Sequence, residues 1–462
     1  MDLLVEGTII TMDREDRIIG EGAIVVQDGR IVAIGSATDI RANYTASRYF
    51  GSLKHVVIPG LIDCHNHLAQ SLVRDHSFEE LPGVYRLYIP AELAMTEEEV
   101  GIAARVGIAQ LLRSGATTVA ETTSTAEHEP IIAQAVMESG IRCAMARGQG
   151  DRKSRLAGSY VQATEKSSFV DDPGRLSADL EASDTFIRKW QSASKSRLKP
   201  WLHAGSVVTA SDRRFLELRA LAVRHGTGIM THINRDREEI ELSMSLFGER
   251  PIEHLHRIGA LGPGLLAIHA MLCTDREIRM LADADAKVAH APLACADLLS
   301  AVTRIIAMRE AGIAVGLGSD TINYDMFRVI AAAHLMHNQA AGIPLYDPLA
   351  FTTKIALSMA TRDAARALLW EDSIGSLEVG KCADLAVLRG AKLRLSPYND
   401  VIGALVRHAV GEDIDTVIVD GQVVVDGGKV LTLDEDMLME EATRIYARLG
   451  RVLKPRRYGR RS

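Results

Sequence analysis

Hydrophobic and polar positions follow two rhythms along this chain. Near its two ends, short apolar runs alternate with Asp-Gly turns. Residues 3–11 read as a strand, 23–26 ends at Asp28-Gly29, and 30–34 follows as its hairpin partner. Asp-Gly suits a tight hairpin because its two central positions need positive φ. Toward the other end, 383–388 reads as a strand, and 416–419 and 422–425 flank Asp420-Gly421. Two β-rich ends around a different middle predict one small sandwich built from both termini. The middle alternates helix and strand. Thr96 to Glu99 has a capping-box pattern, Val100, Ala103, Val106 and Leu111 follow near helical spacing, and Gly115 ends that helix before a strand at 116–120. Ser211 caps a helix carrying Phe215, Leu218, Leu221 and Ala222, which Gly226 ends before a strand at 228–232. A second capping box, Thr274 to Glu277, opens a helix leading to a strand at 286–290, and a helix over 298–309 leads to a strand at 313–317. Repeated helix–strand units predict an α/β fold with a parallel sheet and helical crossovers. Periodicity alone leaves a closed eight-stranded barrel and a doubly wound sheet both open. No short repeat is visible, which argues against a solenoid.

Composition narrows the class. The chain has 462 residues, a formal net charge of −7 and 24% charged residues, which is the profile of a soluble globular protein with one large and one smaller domain. Mild acidity leaves no footprint for nucleic acid, and no uncharged apolar run is long enough to span a bilayer. Residues 1–13 contain Asp2 and Glu6 and lack a basic segment followed by a long apolar core, so no signal peptide is expected. The five cysteines, Cys64, Cys143, Cys273, Cys295 and Cys382, are odd in number, scattered and without a CxxC pair. Most fall in apolar segments, where a thiol behaves as a small hydrophobe; a reducing, cytoplasmic setting is expected. The basic tail at Lys454, Arg456, Arg457, Arg460 and Arg461 reads as a solvated terminus rather than a binding patch.

Candidate chemistry begins at His65-Asn66-His67, behind an apolar run at 56–62 broken by Pro59-Gly60. Strand residues two apart point to the same side, so both imidazoles can reach one ion, and imidazole suits zinc, iron, cobalt or nickel. The triplet alone is weak. Three further residues, His232, His269 and Asp320, also fall at predicted C-terminal ends of strands, where barrels and open parallel sheets build their sites. Imidazoles plus a carboxylate can hold one divalent ion with room for water. Singly, each histidine reads as a hydrogen-bonded core residue; their joint placement is what favours a metal site.

These segments give the chain a family resemblance. PGLIDCHNHLAQSLVRD, LLRSGATTV, the strand ending THIN, LLAIHAMLCTDREI, VAHAP, GLGSD, IGSLEVGKCADLAVL and VDGQVVVDGG, in this order and spacing, resemble the amidohydrolase superfamily. The nearest branch is the cytosine-deaminase-like and chlorohydrolase one, with triazine hydrolases and S-adenosylhomocysteine deaminase-like proteins. The resemblance covers nearly the whole chain. It implies a (β/α)8 TIM-type barrel at 59–371, a composite β-sandwich from 1–58 and 372–432, and a C-terminal helix and basic tail at 433–462. It implies that His65, His67, His232 and Asp320 bind one divalent metal, zinc before iron, cobalt or manganese. His269 and Asp320 become catalytic: Asp320 accepts the proton of an activated water and returns it to the leaving group, and His269 steadies developing charge. Gln70 matches a substrate-contacting position. His290 matches a seventh-strand histidine, but Ala296 stands where an asparagine is usual, so substrate support and a core role both stay open. Family members are commonly oligomers, so a homo-oligomer is expected, with a small-molecule substrate and neither nucleic acid nor membrane as partner. No barrel lysine stands out as a metal bridge; Lys199 is expected at the surface before its strand. Arg147 is expected as a surface arginine, Glu121, His128, Asn323 and Tyr324 fall in loops facing the mouth, and Asn323 is counted among the substrate contacts. His203 is a neutral strand-end histidine, and His254, His256, His334 and His337 are read as structural.

One departure limits the functional reading. Deaminases of this branch carry a glutamate three residues after the fifth-strand histidine, and this chain carries Arg235 there. Arginine stays charged and is no general acid at neutral pH. Asp236 could substitute, Arg235 could bind an anionic substrate group, or Arg235 could merely point outward or pair with Asp236 or Glu238. The expected activity is therefore a metal-dependent hydrolase breaking a C–N bond (amide, urea, carbamate or amine) or a similar bond of a small nitrogenous compound. The alternatives are an aminohydrolase or chlorohydrolase on a purine, pyrimidine or triazine, and a non-catalytic barrel scaffold.

Overall fold

A computed structural model describes residues 1–73, 87–122, 125–148, 150–154, 169–193, 197–299, 301–392 and 394–453; the basic tail at 454–461 and Arg74-Asp75 of the first motif lie outside them. The N-terminal strands are β1 (Leu3–Ile10), β2 (Ile18–Gln27), β3 (Arg30–Ser36) and β4 (Arg48–Pro59). β5 (Leu61–Asn66), β6 (Ala116–Thr122) and β7 (Arg142–Arg147) follow. A short hairpin, β8 (Arg152–Ser154) with β9 (Phe169–Asp171), comes next. Then come β10 (Leu198–Gly205), β11 (Ile229–Ile233), β12 (Leu265–His269), β13 (Lys287–His290) and β14 (Val315–Leu317). The chain returns through β15 (Leu385–Leu388), β16 (Ile414–Val419), β17 (Gln422–Asp426) and β18 (Lys429–Val430).

Eight parallel strands run in the order β5-β6-β7-β10-β11-β12-β13-β14, and the choice left open by periodicity resolves to a nearly closed barrel. The two edge strands meet where Asn66 bridges Asp320 and the Asp320 N–H donates to the His65 carbonyl over 2.8 Å. This seam needs backbone contact: a Cβ on Gly318 would lie 2.8 Å from the His65 Cβ. Below the site the interior is solid. Ile62, Ala144, Trp201, Met230, Leu266 and Ile268 are fully buried in one cluster with Ala364 and Leu368, so solvent-accessible chemistry is confined to the C-terminal ends of the strands.

The second sheet unites both termini in the order β18-β17-β16-β15-β4-β1-β2-β3. It folds back on itself: Ile31 N–H reaches the Lys381 carbonyl, Ala383 N–H reaches the Gly29 carbonyl, and Ile24, Val26, Leu385, Val387 and Ile418 share one core. β4 passes into β5 at Pro59-Gly60, where Gly60 lies so close to Thr117 that no Cβ would fit. Beneath β7, buried Arg142 pairs with Asp384 through 2.8 and 2.9 Å bonds and ties barrel to sheet.

The local signals act as read. Thr96 and Thr274 each close a capping box, Ser211 caps Asp212–His225, and Gly226 ends that helix at φ +63°. Three expectations need correction. The helix read over 298–309 starts at Ile305, after a separate π turn at Cys295–Leu299; the Thr303 hydroxyl donates to the His269 carbonyl, which draws this stretch toward the barrel rather than along a helix. Lys199 is not a surface residue before its strand: it lies within β10, half-buried, over Trp370 and bonded to the carbonyls of Leu368 and Leu369. Arg147 is likewise no surface arginine, being held by Glu129 and Asp179. All five cysteines are buried free thiols. Among the described residues no helix is long and apolar enough to cross a membrane.

Candidate metal centre and substrate cavity

The barrel brings together residues that the chain separates by up to 255 positions. His65 ends the buried face of β5, and its ring stands 4.8 Å from His67, 5.0 Å from His232 and 5.3 Å from His269, centroid to centroid. His65 Nε2 and His269 Nε2 each lie 3.8 Å from Asp320 Oδ2. Two groups of ligand atoms lie within 4.8 Å of one another: those of His65, His232 and His269, and those of His65, His67 and Asp320.

Hydrogen bonds to the outer ring nitrogens set the tautomers. His67 Nδ1 donates to the Thr122 carbonyl over 2.7 Å, leaving Nε2 with its lone pair. His65 Nδ1 lies 3.2 Å from Thr122 Oγ1, a hydroxyl that can accept its proton. His65 Nε2 is buried without a hydrogen-bond partner, 3.8 Å from Asp320 Oδ2. Such an arrangement is costly unless a cation lies between them. Burial also holds His65 and His232 well below the usual imidazole range and His269 at about 3, with the Arg235 charge adding to the last. The imidazoles of His65, His232 and His269 are thus held neutral, the form that binds metal. Burial raises Asp320 above the usual carboxylate range, against the opposing pull of His67 and Arg235. Backbone strain gathers here: Asn234, His269, Ala270 and Asp320 all have positive φ.

Comparison with known proteins settles the lineage. A model of the amidohydrolase family matches residues 56–424, and one of an imidazolonepropionase-like composite domain of bacteria matches 22–46. The chain belongs to the amidohydrolase family. It is 30% identical over 460 residues to a 5-methylthioadenosine/S-adenosylhomocysteine deaminase of Syntrophobacter fumaroxidans, covering 98% of each chain. It is 31% identical over 448 residues to a 5'-deoxyadenosine deaminase of Methanosarcina acetivorans, covering 96% of each. Similar folds include an adenosine deaminase from Xanthomonas campestris with bound zinc (TM-score 0.86, 23% identity, 97% of this chain and 98% of that one). Another is the zinc complex of atrazine chlorohydrolase TrzN from Arthrobacter aurescens (TM-score 0.84, 21% identity, 96% and 100%). This amidohydrolase is a hydrolase acting on carbon–nitrogen bonds, other than peptide bonds, of small nitrogenous compounds.

The amidohydrolase cavity above the histidines has a volume of about 230 Å³. Gln70 and Arg235 line it, as do His67, His232, His269 and Asp320. Gln70 Nε2 donates to buried Glu92 over 2.9 Å, and Glu92 lies 3.5 Å from His128. Arg235 both faces the cavity and pairs with Asp236 over 2.7 Å, so the pairing does not take it out of the lining. Asp236 itself caps the helix Arg237–Phe247. His290 and Asn323 are not among the lining residues. His290 Nε2 meets His337 Nε2 at 2.9 Å inside the core, and Asn323 accepts the Asp325 N–H. Glu121 belongs to β6 rather than to a loop, and accepts the Leu68 N–H. Tyr324 is buried with its hydroxyl on the His67 carbonyl.

Sequence reasoning passed over Arg152 and Arg175, and gave His203 no role; all three line the cavity. Arg152 opens a hairpin that no periodicity announces. His203 had a usable signal, since it falls near the end of β10, the neighbour of β11, and its ring is 5.6 Å from that of His232.

Proposed function

We propose that His65, His67, His232 and Asp320 hold one divalent cation, zinc before iron, cobalt or manganese, and that His269 and Asp320 carry the proton and charge changes of a hydrolysis at a carbon–nitrogen bond. The supporting observation is the buried, unpartnered His65 Nε2 facing the Asp320 carboxylate at 3.8 Å. When bound, such a cation supplies Lewis acidity that makes water nucleophilic near neutral pH. Asp320 takes the proton released by attack and passes it to the leaving nitrogen. His269, neutral and buried, offers an N–H to the oxygen that gains charge at the attacked carbon. Gln70, held by Glu92, orients the substrate. Arg235 supplies no proton, so amide, urea or carbamate cleavage fits the site better than a reaction that needs a ring nitrogen protonated from that position.

A second reading is aminohydrolysis of a purine, pyrimidine or triazine, or chlorohydrolysis. Identity to deaminases of nucleoside derivatives over nearly the whole chain favours it. Ammonia and halide assays over the three ring classes, beside a panel of amides, ureas and carbamates, separate the two readings. The metal site is tested by elemental analysis and turnover of wild type, His232→Ala and Asp320→Asn. About one ion per chain is expected in the wild type and less in both variants, with kcat falling by about two orders of magnitude or more; wild-type turnover in both variants would remove the mechanism. We place the protein in the cytoplasm, as five free thiols suit a reducing compartment. We also expect a homo-oligomer, with the exposed apolar run Ile343, Leu345, Tyr346 and Leu349 as the face it would cover; light scattering decides it.

A further inference from the structure

The cavity has two unlike walls. On one side, from the segments after β5, β13 and β14, come Tyr88, Ile89, Leu298 and Leu299, with Gln70 and Thr321 as polar members. On the other, Arg152, His203, Ser206, Thr209 and Arg235 project from the segments after β7, β10 and β11. Among the described lining residues there are three guanidinium groups, counting Arg175, and a single carboxylate, that of Asp320. Asp320 already faces His65 and His269. Asp236 and Asp171 hold Arg235 and Arg152 from outside the lining, which fixes each guanidinium and offsets part of its charge, leaving its remaining N–H groups for an anion in the cavity. The side chains of Arg152 and Arg235 are only 8% and 11% exposed. Cations held so far from water in a concave, low-dielectric site focus a positive field on its contents. A bound metal ion would add to that field.

From this geometry we infer that the β10–β11 side of the cavity is a carboxylate subsite, with Arg235 as its central residue and Arg152 and His203 beside it, and that the hydrolysed compound carries its carboxylate close to the scissile C–N bond. This rests on the hydrolase reading above. The closeness follows from position. Arg235 is three residues beyond His232 and lines the same cavity as His269 and Asp320. An anion on its planar fork therefore lies beside the reacting carbon, not at the far end of a long substrate. The apolar wall takes the hydrocarbon part. The substrate class is a short N-acyl, N-carbamoyl or amino-substituted carboxylic acid. Arg235 is thus a specificity residue, and its hydrogen bond to Asp236 pre-orients it.

The test uses full-length, zinc-loaded protein and matched pairs: N-acyl and N-carbamoyl amino acids and aminated aromatic acids, each against its primary carboxamide, with adenosine and 5'-methylthioadenosine as neutral amines. The acids are expected to give kcat/KM at least about tenfold above their carboxamides. Arg235→Gln should remove most of that ratio, Arg235→Lys should keep part of it, and Arg235→Glu should invert it. A parallel readout needs no turnover: in metal-free protein the acids should raise the melting temperature more than the carboxamides, and less so in Arg235→Gln. A purely structural Arg235–Asp236 pair would lower the melting temperature of the variants and leave the acid-to-carboxamide ratio unchanged, which overturns the inference. So does preferential turnover of carboxamides or neutral amines, although that result leaves the hydrolase reading standing. Zinc-loaded protein inert to every compound, with no thermal shift from any acid, overturns both.

Discussion

Asp63 shows how one residue sets the geometry of a site it does not enter. Its carboxylate accepts from the His65 N–H, the Ser319 N–H, the Ser319 hydroxyl and the Asn66 amide. It thereby stitches the first barrel strand to the turn that carries Asp320. Burial alone would neutralise such a group, and it does push Asp63 up to about 7 even against those four bonds. Asp63→Asn places an amide N–H₂ against groups that are themselves donors. We expect a loss of about 2–4 kcal/mol in unfolding free energy by chemical denaturation, with reduced metal content, since His65 and Asp320 both hang from this residue. Unchanged stability would show that the seam is held by backbone bonds alone. At the same scale Lys199 gives a pH signature. Burial lowers its ammonium to about 8 from the usual 10.5. Below about pH 8 the lysine is protonated in both states. Between about 8 and 10.5 the unfolded chain holds a proton that the folded chain has shed, so stability from this group rises with pH across that window. The difference between wild type and Lys199→Met in denaturation midpoint should therefore shift toward the wild type from pH 8 to 10.5.

Among the elements, the helix Asp275–Asp283 links local capping to the site. Glu277 closes the capping box on Thr274 and also holds Asn234 and Arg250. Asn234 lies between His232 and Arg235 with φ +47°, and its amide bond to Glu277 stabilises that left-handed turn. Thr274→Ala removes both bonds of the Thr274 hydroxyl to Glu277 and should cost about 1 kcal/mol with kcat little changed. Glu277→Ala removes the anchor of Asn234 and should lower turnover as well as stability. If both variants lose stability equally and neither loses turnover, the turn after β11 does not depend on this helix.

For the whole molecule, the barrel and the two-terminus sheet meet through a buried ion pair. Arg142 lies over Trp370 and binds Asp384, with Asp420 3.3 Å away. Removing one member strands a buried charge, so Asp384→Ala should cost about 3–5 kcal/mol, eased somewhat by Asp420. The double variant Arg142→Met with Asp384→Leu should recover much of that loss, because an apolar pair of similar volume carries no desolvation penalty. Calorimetry that shows the single variant as stable as the wild type would mean the interface rests on apolar burial alone.

The local order of this protein was legible without coordinates. Thr96, Thr274, Ser211 and Gly226 mark helix ends through bonds within a few residues, and the apolar alternation gives the strands. The HxH pair and the family motifs then pointed to His232, His269 and Asp320. Tertiary structure alone decided the rest. It closed the sheet into a barrel through the His65–Asp320 seam, because strand pairing across 255 residues leaves no periodic mark. It engaged His290 with His337 and Asn323 with Asp325, neither of them among the cavity-lining residues. It also assembled Arg152, His203 and Arg235 into one wall. Charges on separate strands share a field only once folding brings them within a few ångströms, and that distance is set by the barrel rather than by any neighbour in the chain.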